Sequence, residues 1–103
     1  MAVVTYDFDA PLWEWSARRL DRWTFVGLPE DAADEIAERA EPVARGFGSL
    51  RVEVRIGTTT WRTSIFPSGA SGTYVLPVKR AVREREGIGT GDVVHVQLTV
   101  LDL

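Results

Sequence analysis

The strictest constraint on this chain is a two-residue rhythm. In "LRVEVRIG", Leu50, Val52, Val54 and Ile56 alternate with Arg51, Glu53 and Arg55. In "VVHVQLTVL", Val94, Val96, Leu98 and Val100 alternate with His95, Gln97 and Thr99. Successive side chains on a strand point to opposite faces, so each segment has one apolar face to bury and one polar face to wet. A helix would scatter the same residues around its whole circumference. The rhythm recurs in "AVVTYDFDA", where Val4, Tyr6 and Phe8 share a face, and in "TWRTSIF", where Trp61, Thr63 and Ile65 do. "PLWEWSA", with Trp13 and Trp15 either side of Glu14, and "RWTFVGLP", with Trp23 and Phe25 together, read as two further short strands. "LRVEVRIG" and "TWRTSIF" form a hairpin across a tight Thr-Thr link. "TYVL" is one more short strand.

Two segments change period. Residues 29–40 bring Ala33, Ile36, Ala37 and Ala40 together at helical spacing. Pro29 suits a first helical turn there, and Glu30 and Asp31 suit the positive end of its dipole. Residues 77–86 predict a second helix from Pro77, with Val78, Ala81 and Val82 as its apolar stripe and Gly87 as a left-handed cap. Residues 67–72, "PSGASG", read as a flexible loop and 89–92, "GTGD", as a turn. One-faced strands in this number bury their apolar sides by curling round. The fold expected is α+β, mostly β: a closed or half-closed barrel of six or seven strands with two short capping helices. A chain of 103 residues makes this a single domain over 1–103, with roughly 65% of its extended surface buried on folding.

Charge and composition narrow the function. The net charge is −3, divided unevenly: residues 1–50 carry 10 acids against 5 bases, and the rest 5 against 7. A nucleic-acid binder relies on basic excess to displace counterions from phosphates, so this balance disfavours nucleic acid as partner. The absence of cysteine removes disulfides, thiolate nucleophiles and Cys-ligated zinc, and fits a reducing cytoplasm. "MAVVTYDFDA" carries no basic start before a long apolar run, so no signal peptide is expected, and no stretch is apolar enough to span a membrane. The one histidine, His95, sits opposite the valine face of its strand, where a cross-strand surface partner is its natural role. One His and no Cys make no transition-metal set, so neither metal nor cofactor is expected.

The second helix poses the sharpest functional question. Lys79, Arg80 and Arg83 crowd its first turns, where a dipole prefers carboxylates. Pairing with Glu84 and Glu86 is one answer. An anion seated among them is the other, with Ser64, Arg62 and Tyr74 contributing hydrogen bonds and the loop 67–72 closing over it. A Ser64–Lys79 nucleophile and base would need a buried, neutral lysine, and this one sits among arginines, so no catalytic residue is assigned. Asp7 and Asp9 read as strand surface and Asp92 as a turn residue. The tryptophans read first as barrel filling, and alternatively as an aromatic pocket of Trp13, Trp15 and Trp61 for a ring-bearing ligand.

"FDAPLWEW", "WTFVGLPEDAADEI" and the run from "GSLRVEVRIG" to "VVHVQLTV" follow in order over nearly the whole chain. With "TSIFP", "YVLPVKRAVR" and "GIGTGDVV" as its most specific parts, the sequence resembles the bacterial domain-of-unknown-function 1905 family. That resemblance implies a small closed or double-split barrel with helical caps. It implies no catalytic residues. Relatives stand alone or are fused to a bacteriocin-protection-type module, and this chain reads as the unfused form. The expected function is therefore a non-catalytic binding module for a small anionic or aromatic ligand or a protein partner. A nucleic-acid-associated regulator is the alternative, by analogy with dimeric double-split barrels that bind DNA. A homodimer, made by pairing exposed strand edges, is expected with either.

Overall fold

The computed structural model describes residues 4–18, 21–40, 48–68 and 73–102, with the side chains of 15–18, 21, 22 and 40 outside that description. Six strands close into an antiparallel barrel in the order β1-β2-β5-β4-β3-β6. They are β1 (Val4–Arg18), β2 (Asp21–Gly27), β3 (Leu50–Ile56), β4 (Thr59–Ser68), β5 (Thr73–Pro77) and β6 (Val93–Val100). Two helices, α1 (Glu30–Ala40) and α2 (Arg80–Glu86), lie in the connections.

The alternating segments behave as their rhythm dictates. Val52, Val54, Val96 and Leu98 are fully buried, and their polar neighbours line the outside. β6 runs between β1 and β3, with Val4 opposite Val100 and Val52 opposite Val100 on its other side. The turn between β3 and β4 falls at Gly57–Thr58, where Gly57 takes φ +59°. Gly87 ends α2 in the left-handed conformation at φ 65° and ψ 37°, the conformation that glycine adopts at least cost.

Several expectations are corrected. "AVVTYDFDA" and "PLWEWSA" are one strand: β1 pairs with β6 from Val4 to Pro11 and with β2 from Leu12 onward. Pro11 sits at this handover, where its missing donor interrupts no ladder. The single strand also reverses the parity of the tryptophans. Phe8, Ala10 and Leu12 face inward, so Trp13 faces out and is 36% exposed; Trp23 is 53% exposed. The interior is filled by Leu, Ile and Val instead, with Trp61 packed at its margin.

The second helix begins later than Pro77. That proline closes β5 opposite Phe25, Lys79 is the extended residue before the helix, and α2 spans only Arg80–Glu86. Val78 and Val82 are buried but Ala81 is exposed, and on α1 Ala37 is exposed beside buried Ala33 and Ile36. β4 continues through Pro67 and Ser68, so the loop expected from residue 67 starts no earlier than 69; the rest of it lies outside the described residues.

The barrel wall has a gap. β4 meets β5 only from Phe66 to Ser68, and β2 meets β5 only from Phe25 to Gly27. Thr59–Ile65 on β4 and Asp21–Trp23 on β2 therefore face one another without a strand between them. The β5–α2 link fills the space: Val78 N donates to Thr24 O at 2.9 Å, and Val78 and Val82 enter the core.

Candidate functional site

A cleft of about 580 Å³ opens at this gap, roomier than the three other concavities described at about 340, 320 and 240 Å³. Its strand walls come from Trp23 and Thr24 on β2 and from Trp61 and Thr63 on β4. Pro77 and Val78 supply its apolar floor on the helix side, and Lys79, Arg80 and Arg83 its rim. Each placement follows from local structure. Trp61 and Thr63 share the inward parity of Ile65 but lie beyond the last β5 rung, so they are only half-buried and border the cleft. Lys79 is the residue before α2, Arg80 opens the helix and Arg83 follows at its middle, where the last turn begins.

The cations differ in how they are held. Arg80 Nε pairs with Glu84 Oε1 at 2.7 Å across one helical turn. Arg83 Nε donates to the Val78 carbonyl at 3.2 Å, which draws its guanidinium over the link. Among the described residues no carboxylate lies within ion-pair distance of Lys79 or Arg83. Glu86, expected as a partner for Arg83, turns instead to the β3–β4 turn. Its carboxylate accepts from Thr59 Oγ1 at 2.5 Å, Thr58 Oγ1 at 3.2 Å and Thr58 N at 3.4 Å. The Thr59 hydroxyl is the main reason its pKa falls below the ordinary value, with the Thr58 donors and Arg85 adding to it.

Of the residues singled out by sequence, Lys79, Arg80, Arg83 and Trp61 meet in this cleft. Arg62, Ser64 and Tyr74 do not line it. Arg62 pairs with Glu53 at 3.5 Å on the barrel exterior, and Ser64 stands opposite Arg51. Tyr74 is buried beside a separate groove against α1 with Ala33 and Pro67, and burial raises its pKa. Trp13 lies on the outer face of the β1–β2 hairpin, 5.1 Å from Phe25 between ring centroids, and Trp23 continues that row at 6.3 Å from Phe25. The register sets Trp15 opposite Trp23, and its side chain lies outside the described residues. Sequence reasoning missed Trp23, Thr24, Thr63 and Val78 as cleft residues, because the cleft arises from where β5 parts from β2 and β4.

His95 makes the surface pairing its parity suggests. Nδ1 lies 2.8 Å from Asp9 Oδ1 and Nε2 3.4 Å from Asp7 Oδ1. The Asp9 hydrogen bond leads in raising its pKa above 6.5, against a smaller desolvation effect. The two carboxylates sit on opposite ring nitrogens, so the trio does not converge on one point. Asp92 Oδ2 accepts from Gly89 N at 2.8 Å and so shapes its turn. Among the described residues no group of three or more His, Asp or Glu could hold a metal, and no helix is long and apolar enough to cross a membrane.

Fold and cleft together define a small six-stranded antiparallel barrel, split on one side and plugged there by a short basic helix. The chain belongs to the family described as a domain of unknown function (DUF1905), whose family model matches residues 8–98. No curated protein matches it.

Proposed function

We infer that this protein is a binding module whose cleft beneath α2 takes a small organic anion with an apolar or ring-bearing body. One observation carries the reading: the roomiest concavity described is walled by two indoles and rimmed by cations, two of which have no carboxylate within ion-pair distance among the described residues. A volume of this size falls in the range of about 300–1,000 Å³ typical of sites for small ligands. α2 has seven residues, so the anion is recognised by side chains rather than by a helix dipole. Calorimetric titration with benzoate and 2-naphthoate tests it. Wild type binds and Lys79→Ala/Arg83→Ala does not, while the variant melts within about 5 °C of wild type, since it loses one Arg83 hydrogen bond worth on the order of 1 kcal/mol. Failure of both acids to bind wild type would reject the reading.

A second reading has its own observation. Trp13 and Trp23 are exposed in a row with Phe25 on one face of the β1–β2 hairpin. Exposed apolar patches of this kind mark contact surfaces, and a second copy of the chain is the partner proposed. Light scattering on wild type and Trp23→Ser tests it: a dimer that dissociates on substitution supports the reading, and a wild-type monomer at about 100 μM rejects it. The nucleic-acid alternative has no comparable observation behind it, and the net charge of −3 opposes it.

A further inference from the structure

The chemistry of the cleft narrows its ligand, given the organic-anion reading above. Thr24 is only 6% exposed, yet it lines the cleft and its hydroxyl has no hydrogen-bond partner among the described residues. With no such partner and the cleft in front of it, the hydroxyl is open to donate to or accept from a polar edge on whatever enters. Thr63, half-buried on the facing wall, also has no hydrogen-bond partner for its hydroxyl among the described residues. Trp23 and Trp61 stand on those same walls. Indole faces favour a flat partner, offset-stacked or edge-on. Indoles together with hydroxyls that no other protein group engages among the described residues call for a ring that carries heteroatoms, rather than a plain hydrocarbon ring.

The positive charge of the cleft gathers at one end. At the α2 end, Arg80 is offset by Glu84, while Lys79 and Arg83 have no carboxylate within ion-pair distance among the described residues. A ligand therefore lies with its anion toward α2. Two such cations match a dianion better than a carboxylate. A phosphate monoester supplies about −1.5 to −2 at pH 7, with three acceptor oxygens. Arg83 offers a planar fork and Lys79 a mobile point charge, a combination suited to phosphate. We propose that the cleft binds a phosphate monoester carried on a planar heteroaromatic body, the chemistry shared by mononucleotides and phosphorylated pyridines.

Calorimetry at low salt tests the assignment with AMP, GMP, UMP and pyridoxine 5′-phosphate. Each is compared with its dephosphorylated form, and all with inorganic phosphate and with benzoate. At least one phosphorylated compound binds wild type roughly tenfold or more tighter than its dephosphorylated form and than inorganic phosphate, as charge-assisted hydrogen bonds imply. Lys79→Ala/Arg83→Ala erases that advantage, whereas Thr24→Val weakens the ring-bearing ligands and leaves inorganic phosphate unchanged. If no phosphorylated compound outbinds its dephosphorylated form on wild type, the assignment is wrong, whatever the variants do. If inorganic phosphate binds as tightly as the esters, the ring has no part and the assignment again fails. Benzoate binding that needs Lys79 and Arg83, with none from the four esters, leaves the organic-anion reading standing and removes this one. No binding by any anion removes both.

Discussion

Val82 is the only buried side chain of α2, so Val82→Ala tests how the rim of the cleft is held. The substitution removes two buried carbons, worth about 0.8 kcal/mol each in transfer. The space they leave adds about 1 kcal/mol. Alanine's better helix propensity returns about 0.5 kcal/mol, for a net loss of about 2 kcal/mol. A seven-residue helix does not persist alone in water, so α2 stays in place through Val78, Val82 and the Glu86 clasp. The loss appears first as local opening. Amide exchange at Val82 and Arg83 rises about thirtyfold, while the amides of β6 rise less. The melting point falls by about 8 °C if the helix unfolds together with the barrel, and by less if it opens alone. Hydrogen exchange followed by mass spectrometry, beside a calorimetric melt, separates the two. Unchanged exchange in α2 and a melting point within about 2 °C of wild type would refute the claim that Val82 helps to seat the helix.

Other perturbations follow from the same geometry. Gly57→Ala places a methyl at φ +59° and in contact with the Glu86 carboxylate. The backbone share alone costs about 1–2 kcal/mol, and a denaturation cycle with Glu86→Ala shows a smaller penalty for the methyl once the carboxylate is gone. Glu86 has a folded pKa below 4.5; its stabilisation is complete above the unfolded carboxyl pKa and is lost as pH falls through the lower folded value. Melts from pH 6 to 2 therefore show Glu86→Gln and wild type converging on the acid side. His95 is the opposite case: its pKa is raised above 6.5, so its stabilisation is full below the unfolded value and fades as pH rises through the folded one. An NMR titration places its midpoint above 6.5, and Asp9→Asn moves it back down.

Much of the barrel was legible because a strand with one buried face states its parity in every second residue. β3, β4 and β6 were readable in this way, as were the left-handed Gly87 and the outward His95. The tryptophans were misread for a physical reason. Read as a separate strand, "PLWEWSA" starts its own count of faces at Pro11. Had the count run on from Phe8 through Ala10 to Leu12, Trp13 would have fallen outside. Pro77 misled in the same way: a helix start and a strand end accept proline for the same reason, since neither needs its N–H. The cleft was only half legible. Its cations were visible as charges in the wrong place, but Trp23, Thr24 and Thr63 become wall residues only where β5 stops pairing with β2 and β4. Register of that kind depends on partners distant in sequence, and a single sequence does not carry it locally.

The order of strands also sets a timetable. β6 is the last of the six to leave the ribosome, yet it seals the seam between β1 and β3. Until it emerges, the inner edge of β1 waits unmatched beside a growing chain, although hairpins such as β3–β4 have already zipped locally. Final annealing is then a single late event, in which Val93–Val100 slots between two neighbours and finishes the cylinder at one stroke.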